Sequence, residues 1–266
     1  MENDAFYEKQ ILLADEYISN FDYIKASEII TTLEQNDAHK LKAYEREVYY
    51  LYLEGRYEEA QKRIEEIFAQ QLVVENSYNS AEIIGDIYAI MGNCSYELED
   101  YPNARKYLEE ALTWNSGNPS YYRDYAVSLA KSGMLVEAES QLQKAKEYGM
   151  DEISMDYVKA EIESVKGNLE GAISLLEPII NNKSNVEIYN RALLLAANNY
   201  VALGNYEQAL YIYKEIYDSG VNTYQVGENI AYLYTKIGDY NSAEDLLLDL
   251  KIVFLIIIGY IKGLLF

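Results

Sequence analysis

Histidine, cysteine and convergent carboxylates are the side chains from which acid–base, nucleophilic or metal chemistry is built, and here they are sparse or badly spaced. His39 is the single histidine and Cys94 the single cysteine. A lone thiol cannot assemble a sulfur-ligand metal site, and no His-Glu-x-x-His pair exists. His39 falls near a turn, where a surface polar residue accounts for it, and Cys94 reads as a small core residue. The doublets Glu58-Glu59, Glu65-Glu66 and Glu109-Glu110 bring carboxylates together in sequence. On a helix, however, adjacent side chains diverge by about 100°, so a doublet does not converge on one substrate. The phosphate-cradling patterns G-x-G-x-x-G and G-x-x-x-x-G-K-[ST] are absent. The expectation is a non-enzyme, with no catalytic residue, no metal and no cofactor.

The elements that carry these residues are helical. Half of the 266 residues are hydrophobic, enough to bury a sizeable core, and three prolines leave few breaks for short strands. Alanine, leucine, glutamate, lysine and tyrosine recur at helical spacing, which sets an all-α class. Asp and Glu number 44 against 22 Lys and Arg, a net charge of −22. Such a field repels a phosphate backbone and an anionic membrane, so nucleic acid is not an expected partner and basic or apolar ones are. With one cysteine there is no intrachain disulfide, and the start Met-Glu-Asn-Asp-Ala lacks a basic stretch ahead of an apolar one. Both features point to a cytoplasmic protein.

A repeat organises the chain. Gly-x-Tyr-x-x-Ala occurs at Gly55–Ala60, Gly204–Ala209 and Gly238–Ala243, with looser copies ending at Ala26, Ala104, Ala138 and Ala172. Ala60 follows Ala26 by the same step that takes Ala104 to Ala138, Ala138 to Ala172 and Ala209 to Ala243. That step is about 34 residues, a length at which helical hairpins repeat. Longer intervals elsewhere mark an insertion of ten near 75–84 and one of three near 187–189. The frames are 7–40, 41–74, 85–118, 119–152, 153–186, 190–223 and 224–257, after a short extension at 1–6. Behind each alanine come two apolar positions, as in Ala60/Ile64/Ile67, Ala104/Leu108/Ala111 and Ala243/Leu247/Leu250. First halves are looser, for example Tyr88/Met91/Gly92/Ser95 and Leu193/Ala196/Ala197/Tyr200.

On these motifs the chain resembles the tetratricopeptide repeat family from residue 7 to about 257. The resemblance implies one solenoid domain, a right-handed α-α superhelix of antiparallel helix pairs, in which each pair buries its apolar face against its neighbours. Pro178 falls inside the fifth second helix and is expected to kink it or end it early. In the family, the first helix of each repeat lines a concave groove that holds a protein or an extended peptide. Carried onto this sequence, the groove positions are Lys42, Arg46, Tyr49 and Tyr52 in the second repeat, Asn93 and Tyr96 in the third, and Arg123 and Val127 in the fourth. Tyr157 and Glu161 follow in the fifth repeat, Arg191 and Asn198 in the sixth, and Glu228 and Tyr232 in the seventh. Tyrosine mixed with both charges suits peptide recognition, although many of the 29 tyrosines occupy packing positions. The lysine and asparagine clamp with which one subfamily grips chaperone carboxylates has no counterpart here. Only six residues precede the first frame, so the effector module of bacterial peptide sensors is not expected either.

Residues 252–261 read Ile-Val-Phe-Leu-Ile-Ile-Ile-Gly-Tyr-Ile and lead into an apolar tail at 258–266. A solenoid end should carry a polar outer face, which this run does not provide. Three readings stay open at this point: an apolar segment folded on the seventh repeat, a contact for a membrane or a second copy, and a sequence altered or cut short. The expected function is a non-catalytic interaction scaffold. The alternative is a membrane-proximal assembly factor, or a homo-oligomer, associating through this C-terminal segment.

Overall fold

The seven alanines that set the repeat are buried, and each sits where two helices approach. Ala26, Ala60, Ala104, Ala138, Ala172 and Ala209 are wholly inaccessible, and Ala243 nearly so. A methyl side chain lets two helix axes close up while larger residues interlock around it. The computed structural model describes residues 2–20, 22–35, 39–69, 80–182, 186–219 and 223–251, which contain helices and no strand. In chain order the helices are α1 (Glu2–Ser19), α2 (Tyr23–Leu33), α3 (Lys40–Leu53), α4 (Tyr57–Ala69), α5 (Ser80–Glu97), α6 (Tyr101–Trp114) and α7 (Pro119–Lys131). There follow α8 (Leu135–Glu147), α9 (Glu152–Val165), α10 (Leu169–Asn181), α11 (Val186–Ala202), α12 (Tyr206–Asp218) and α13 (Thr223–Ile237). Residues 240–251 are helical and are called α14. The all-α architecture of helix pairs expected from the sequence is the one observed.

The chain divides into two compact units, Met1–Val158 and Lys159–Phe266. In the first, α1 packs on α2, α3 on α4, α5 on α6 and α7 on α8. The second helices α2, α4 and α6 also pack on the next first helices α3, α5 and α7, and the first helices α1, α3, α5 and α7 lie side by side. The core reflects this layering. Ile64 of α4 clusters with Val48 of α3 and with Ile84 and Ile87 of α5. Ile30 of α2 clusters with Ala14 of α1 and Ala43 of α3. In the second unit α11 packs on α12, with α10 against α11 and α12 against α13.

Four of the turns inside the pairs share one chemistry, while Met134 and Asn205 hold the same place ahead of α8 and α12 without a side-chain cap. Asp22, Asp100, Asn168 and Asp239 each precede a second helix, and each side chain accepts a hydrogen bond from the backbone N–H three residues on, at 3.2–3.3 Å. That caps an otherwise orphaned donor. One residue earlier the backbone must turn left-handed, and glycine supplies it at Gly55, Gly133, Gly167, Gly204 and Gly238. The third repeat puts Glu99 there, at φ 60°. Its N–H donates to Tyr96 O and that of Asp100 to Ser95 O, the paired bonds of a Schellman motif that fix the conformation whatever the residue. Glu99→Gly is therefore expected to raise stability by about 1 kcal/mol, the left-handed cost that a Cβ imposes. Thermal unfolding of the two proteins checks it.

One sequence expectation is corrected and one is refined. Residues 80–84, the described part of the ten-residue insertion, are helical, since α5 begins at Ser80. Ile83 and Ile84 pack on the cluster that holds Leu41 and Ile64, and this burial extends the helix. Pro178 does not end α10 early. The helix runs to Asn181, and burial of Ile179 beyond the proline holds the last turn in place. Residues 187–189, the second expected insertion, lie within α11. The remainder of the first insertion at 75–79, and the C-terminal run 252–261 with its tail, lie outside the described residues.

Candidate binding surface on the first helices

Side-by-side packing of α1, α3, α5 and α7 brings residues from four separate turns of sequence onto one layer of the first unit. Arg46 of α3 reaches back to Asp15 of α1, donating through Nε and, at 3.0 Å, from Nη2 to Oδ2. Its Nη1 donates to Glu45, which also pairs with Lys42 Nζ at 2.9 Å. One repeat along, Asn93 of α5 donates to Asp124 Oδ2 of α7 at 3.1 Å. Asp15 to Arg46 and Asn93 to Asp124 are both steps of 31 residues, so one inter-repeat contact is made twice with different chemistry. Tyr121 donates its hydroxyl to Asp86 Oδ1 at 2.7 Å, linking α7 to α5 again. Arg123 donates to Asp124 through Nε at 2.8 Å and Nη2 at 3.3 Å.

Burial sets the electrostatics of this layer. Desolvation lifts the Glu45 carboxyl above its ordinary value, although Arg46 and Lys42 pull it down. Burial works against the Arg46 charge, but hydrogen bonding to Asp15 and the nearby Glu45 outweigh it and its pKa is raised. The Tyr121 phenol is pushed up, first by burial and then by its carboxylate acceptor Asp86. The Glu45 shift has a consequence for stability. As the pH falls from 7 towards the ordinary 4.5, folded Glu45 takes up its proton before the unfolded chain does, so folding is favoured over that interval. Glu45→Gln lacks this titration. Wild type is therefore expected to gain stability relative to Glu45→Gln as pH drops from 7 to 5, measured by urea denaturation at each pH.

The sequence-predicted groove residues divide by exposure. Lys42, Arg46, Tyr49, Tyr52, Asn93 and Tyr96 are half-buried and line the α3–α5 part of the layer. Tyr52 stands 5.7 Å from Tyr57, and Tyr96 the same distance from Tyr101, so the two repeats present matching tyrosine pairs. Arg123, Val127, Tyr157 and Glu161 are buried at 3–6% exposure and offer a ligand little surface. Packing against neighbouring helices takes up their surface, and the Arg123 guanidinium is engaged by Asp124. In the second unit Asn198 is exposed and accepts from the Tyr213 hydroxyl at 2.5 Å. Arg191 is half-buried, Glu228 is exposed, and Tyr232 lies under Lys236 Nζ, 5.0 Å from its ring centre. Asp15, Tyr121 and Asp124 escaped the sequence reading. For Asp15 and Asp124 the signal that could have found them was the step of 31 residues between complementary polar side chains, and for Tyr121 the step of 35 to Asp86.

Cys94 is buried, and burial together with the Glu97 carboxylate pushes its thiol up to about 12. His39 stacks on Tyr7 with ring centres 4.9 Å apart. Among the described residues no three of His, Cys, Asp and Glu are grouped so as to hold a metal ion, and no helix is long and apolar enough to cross a membrane.

Residues 95–162 match the model of the tetratricopeptide repeat family. No curated protein matches the chain in sequence. Among solved structures, the human IFIT1 dimer with PPP-AAAA is 16% identical, covers 89% of this chain and 58% of its own, and superposes with a TM-score of 0.57. The APC/C hetero-tetramer Cut9-Hcn1 is 16% identical over 85% of this chain and 42% of its own, with a TM-score of 0.56. A tetratricopeptide repeat protein from Parabacteroides merdae is 13% identical, with 92% of both chains covered and a TM-score of 0.53. The chain thus spans 58% and 42% of the first two, and at these identities the likeness is one of fold.

Proposed function

Because the chain is a tetratricopeptide repeat protein, we propose that it acts without chemistry of its own as a scaffold that holds a protein or extended peptide on its first helices. The frames 7–257, read as one domain of seven repeats, belong to this proposal. The observation that carries it is the α3–α5 layer, where Tyr49, Tyr52 and Tyr96 stand half-buried beside Lys42, Arg46 and Asn93. Tyrosines of this kind give large contact area and a polar tip at low entropy cost. Charge narrows the partner. Residues 1–158 hold 31 Asp and Glu against 14 Lys and Arg, so the first unit carries most of the net −22. A basic or apolar ligand is favoured there, and an oligonucleotide such as the PPP-AAAA of the IFIT1 structure is opposed. A cytoplasmic setting fits the same reading.

The experiment is affinity capture from the native lysate with wild type and with a Tyr49→Ala, Tyr52→Ala, Tyr96→Ala variant. The variant is expected to lose the partners that wild type retains. Equal recovery from both would remove the groove assignment. Liposome flotation of the same wild-type protein separates this reading from attachment through residues 252–266.

A further inference from the structure

Two neighbouring repeats carry the same aromatic pair at the same two places. Tyr52 near the end of α3 meets Tyr57 at the start of α4, and Tyr96 of α5 meets Tyr101 of α6. In both pairs the ring centres stand 5.7 Å apart, and the ring planes are tilted by 48° and 60°. Rings so tilted form the walls of a shallow notch, each offering the electron-rich face of an aromatic system. Tyr52, Tyr96 and Tyr101 are half-buried, and Tyr57, at 8% exposure, is the covered member of its pair. The pattern stops on either side. The equivalent places hold Ile18 and Tyr23 in the first repeat and Ala130 and Leu135 in the fourth. A ligand that reads these pairs therefore spans two repeats.

Spacing selects the backbone conformation of that ligand. α3 and α5 pack directly on one another, and the axes of packed helices lie about 8–10 Å apart. A polyproline II segment has three residues per turn and rises about 3.1 Å per residue, so residues three apart recur on one side about every 9 Å. A β-strand repeats a face about every 6.7 Å and an α-helix about every 5.4 Å; one period of either falls short, and two overshoot. Charge sets the flanks. The segments that bear the pairs, 52–60 and 96–101, hold six carboxylates and one guanidinium. That guanidinium, of Arg56, is engaged by Glu54 at 2.7 Å and Glu59 at 2.6 Å. Besides burial, Glu97 and Glu58 act together on the Cys94 thiol, so carboxylates of α5 and α4 converge on this end of the layer.

We propose, on the reading above that the first helices receive a peptide, that the occupant is a basic proline-rich segment in the polyproline II conformation. Its prolines, three residues apart, sit on Tyr52–Tyr57 and Tyr96–Tyr101. Proline suits such a notch because its ring is apolar and it has no backbone N–H to leave unpaired. A polyproline II segment is also ordered before it binds, which lowers the entropy cost of docking on an aromatic-lined groove. Lysine or arginine beside the prolines meets the carboxylates around the pairs, a charge complementarity that sets the register.

Fluorescence polarisation on the full chain tests this with two labelled peptides of one composition, Arg-Ala-Pro-Ala-Ala-Pro-Ala-Arg and Arg-Ala-Pro-Ala-Ala-Ala-Pro-Arg. Their prolines are three and four residues apart. The first peptide is expected to bind at least tenfold more tightly than the second, and at least tenfold more tightly than its own version with glutamate for arginine. Tyr96→Ala is expected to weaken that binding at least tenfold, whereas Tyr96→Phe, which keeps the ring, stays within twofold of wild type. Equal affinity for the two isomers overturns the proposal, and that comparison uses wild type alone, so it stands even if a variant fails to fold. Tighter binding of a lysine–alanine peptide of equal net charge, long enough to be helical in solution, overturns it too. If neither proline peptide binds while the Tyr49→Ala, Tyr52→Ala, Tyr96→Ala variant still loses its lysate partners, the polyproline occupant falls and the scaffold reading stands. If the lysate partners are also retained, both fall.

Discussion

Leu108→Ala is expected to cost about 2–5 kcal/mol of folding stability, towards the upper end of that range. Leu108 lies on α6 with no exposed surface and packs with Ala89, Ala111 and Tyr121, so it joins its own pair to the next. Opposite it is Gly92 of α5, where an added Cβ would stand 2.7 Å from Leu108 Cγ. A glycine has no side chain with which to refill the space, and the helix backbones cannot close further without breaking the contacts around them. The cavity should persist. Each kcal/mol corresponds to roughly 2–4 °C in Tm for a chain of this size, so thermal unfolding resolves the effect easily. Val136→Ala is the control. Val136 is 78% exposed on α8, and its truncation is expected to stay within about 0.5 kcal/mol.

Asp124→Ala is expected to be nearly as damaging, at about 3 kcal/mol, because it strands polar groups in place of apolar ones. The Asp124 carboxylate accepts two hydrogen bonds from Arg123 and one from Asn93, and both Arg123 and Asp124 are almost wholly buried. Removing the acceptor leaves the guanidinium and the amide with three fewer bonds in a site that water enters poorly. Asp124→Asn, which keeps the volume and loses the charge, should fall between wild type and the alanine variant. Urea denaturation of the three proteins gives the order directly. A cost below about 1 kcal/mol for the alanine variant, the scale of an exposed ion pair, would mean that the layer of first helices is held by its apolar contacts alone.

The helix pairs were legible because their determinant is a residue type at a fixed step. Alanine at 60, 104 and 138 reports close helix approach whatever surrounds it, and Gly55 or Gly204 reports the left-handed turn before it. Where a different residue does that work, as Glu99 does, the backbone hydrogen bonds enforce the turn and the sequence signal fades. The start of α5 inside the insertion has a related cause: Ile83 and Ile84 are helical because of what they pack on, which no local pattern states. Of the candidate surface, only spacing was legible. Counting along one helix sets Tyr49 and Tyr52 on one face of α3 and Asn93 and Tyr96 on one face of α5, where they are half-buried. It cannot tell that Arg123, Val127, Tyr157 and Glu161 are buried by packing, since exposure depends on neighbours about one repeat away. The contacts from Arg46 to Asp15 and from Asn93 to Asp124 became visible only when two repeats were seen together.

The claim that the first helices receive the partner is open to one direct measurement. A random peptide library selected on the full chain supplies a ligand of known sequence, and hydrogen exchange of the bound and free protein then locates it. Slowed exchange concentrated on α3 and α5, with a net-basic selected peptide and binding at least tenfold weaker in the Tyr49→Ala, Tyr52→Ala, Tyr96→Ala variant, is the predicted result. Protection confined to the second helices α4 and α6, with affinity unchanged in that variant, would contradict the account.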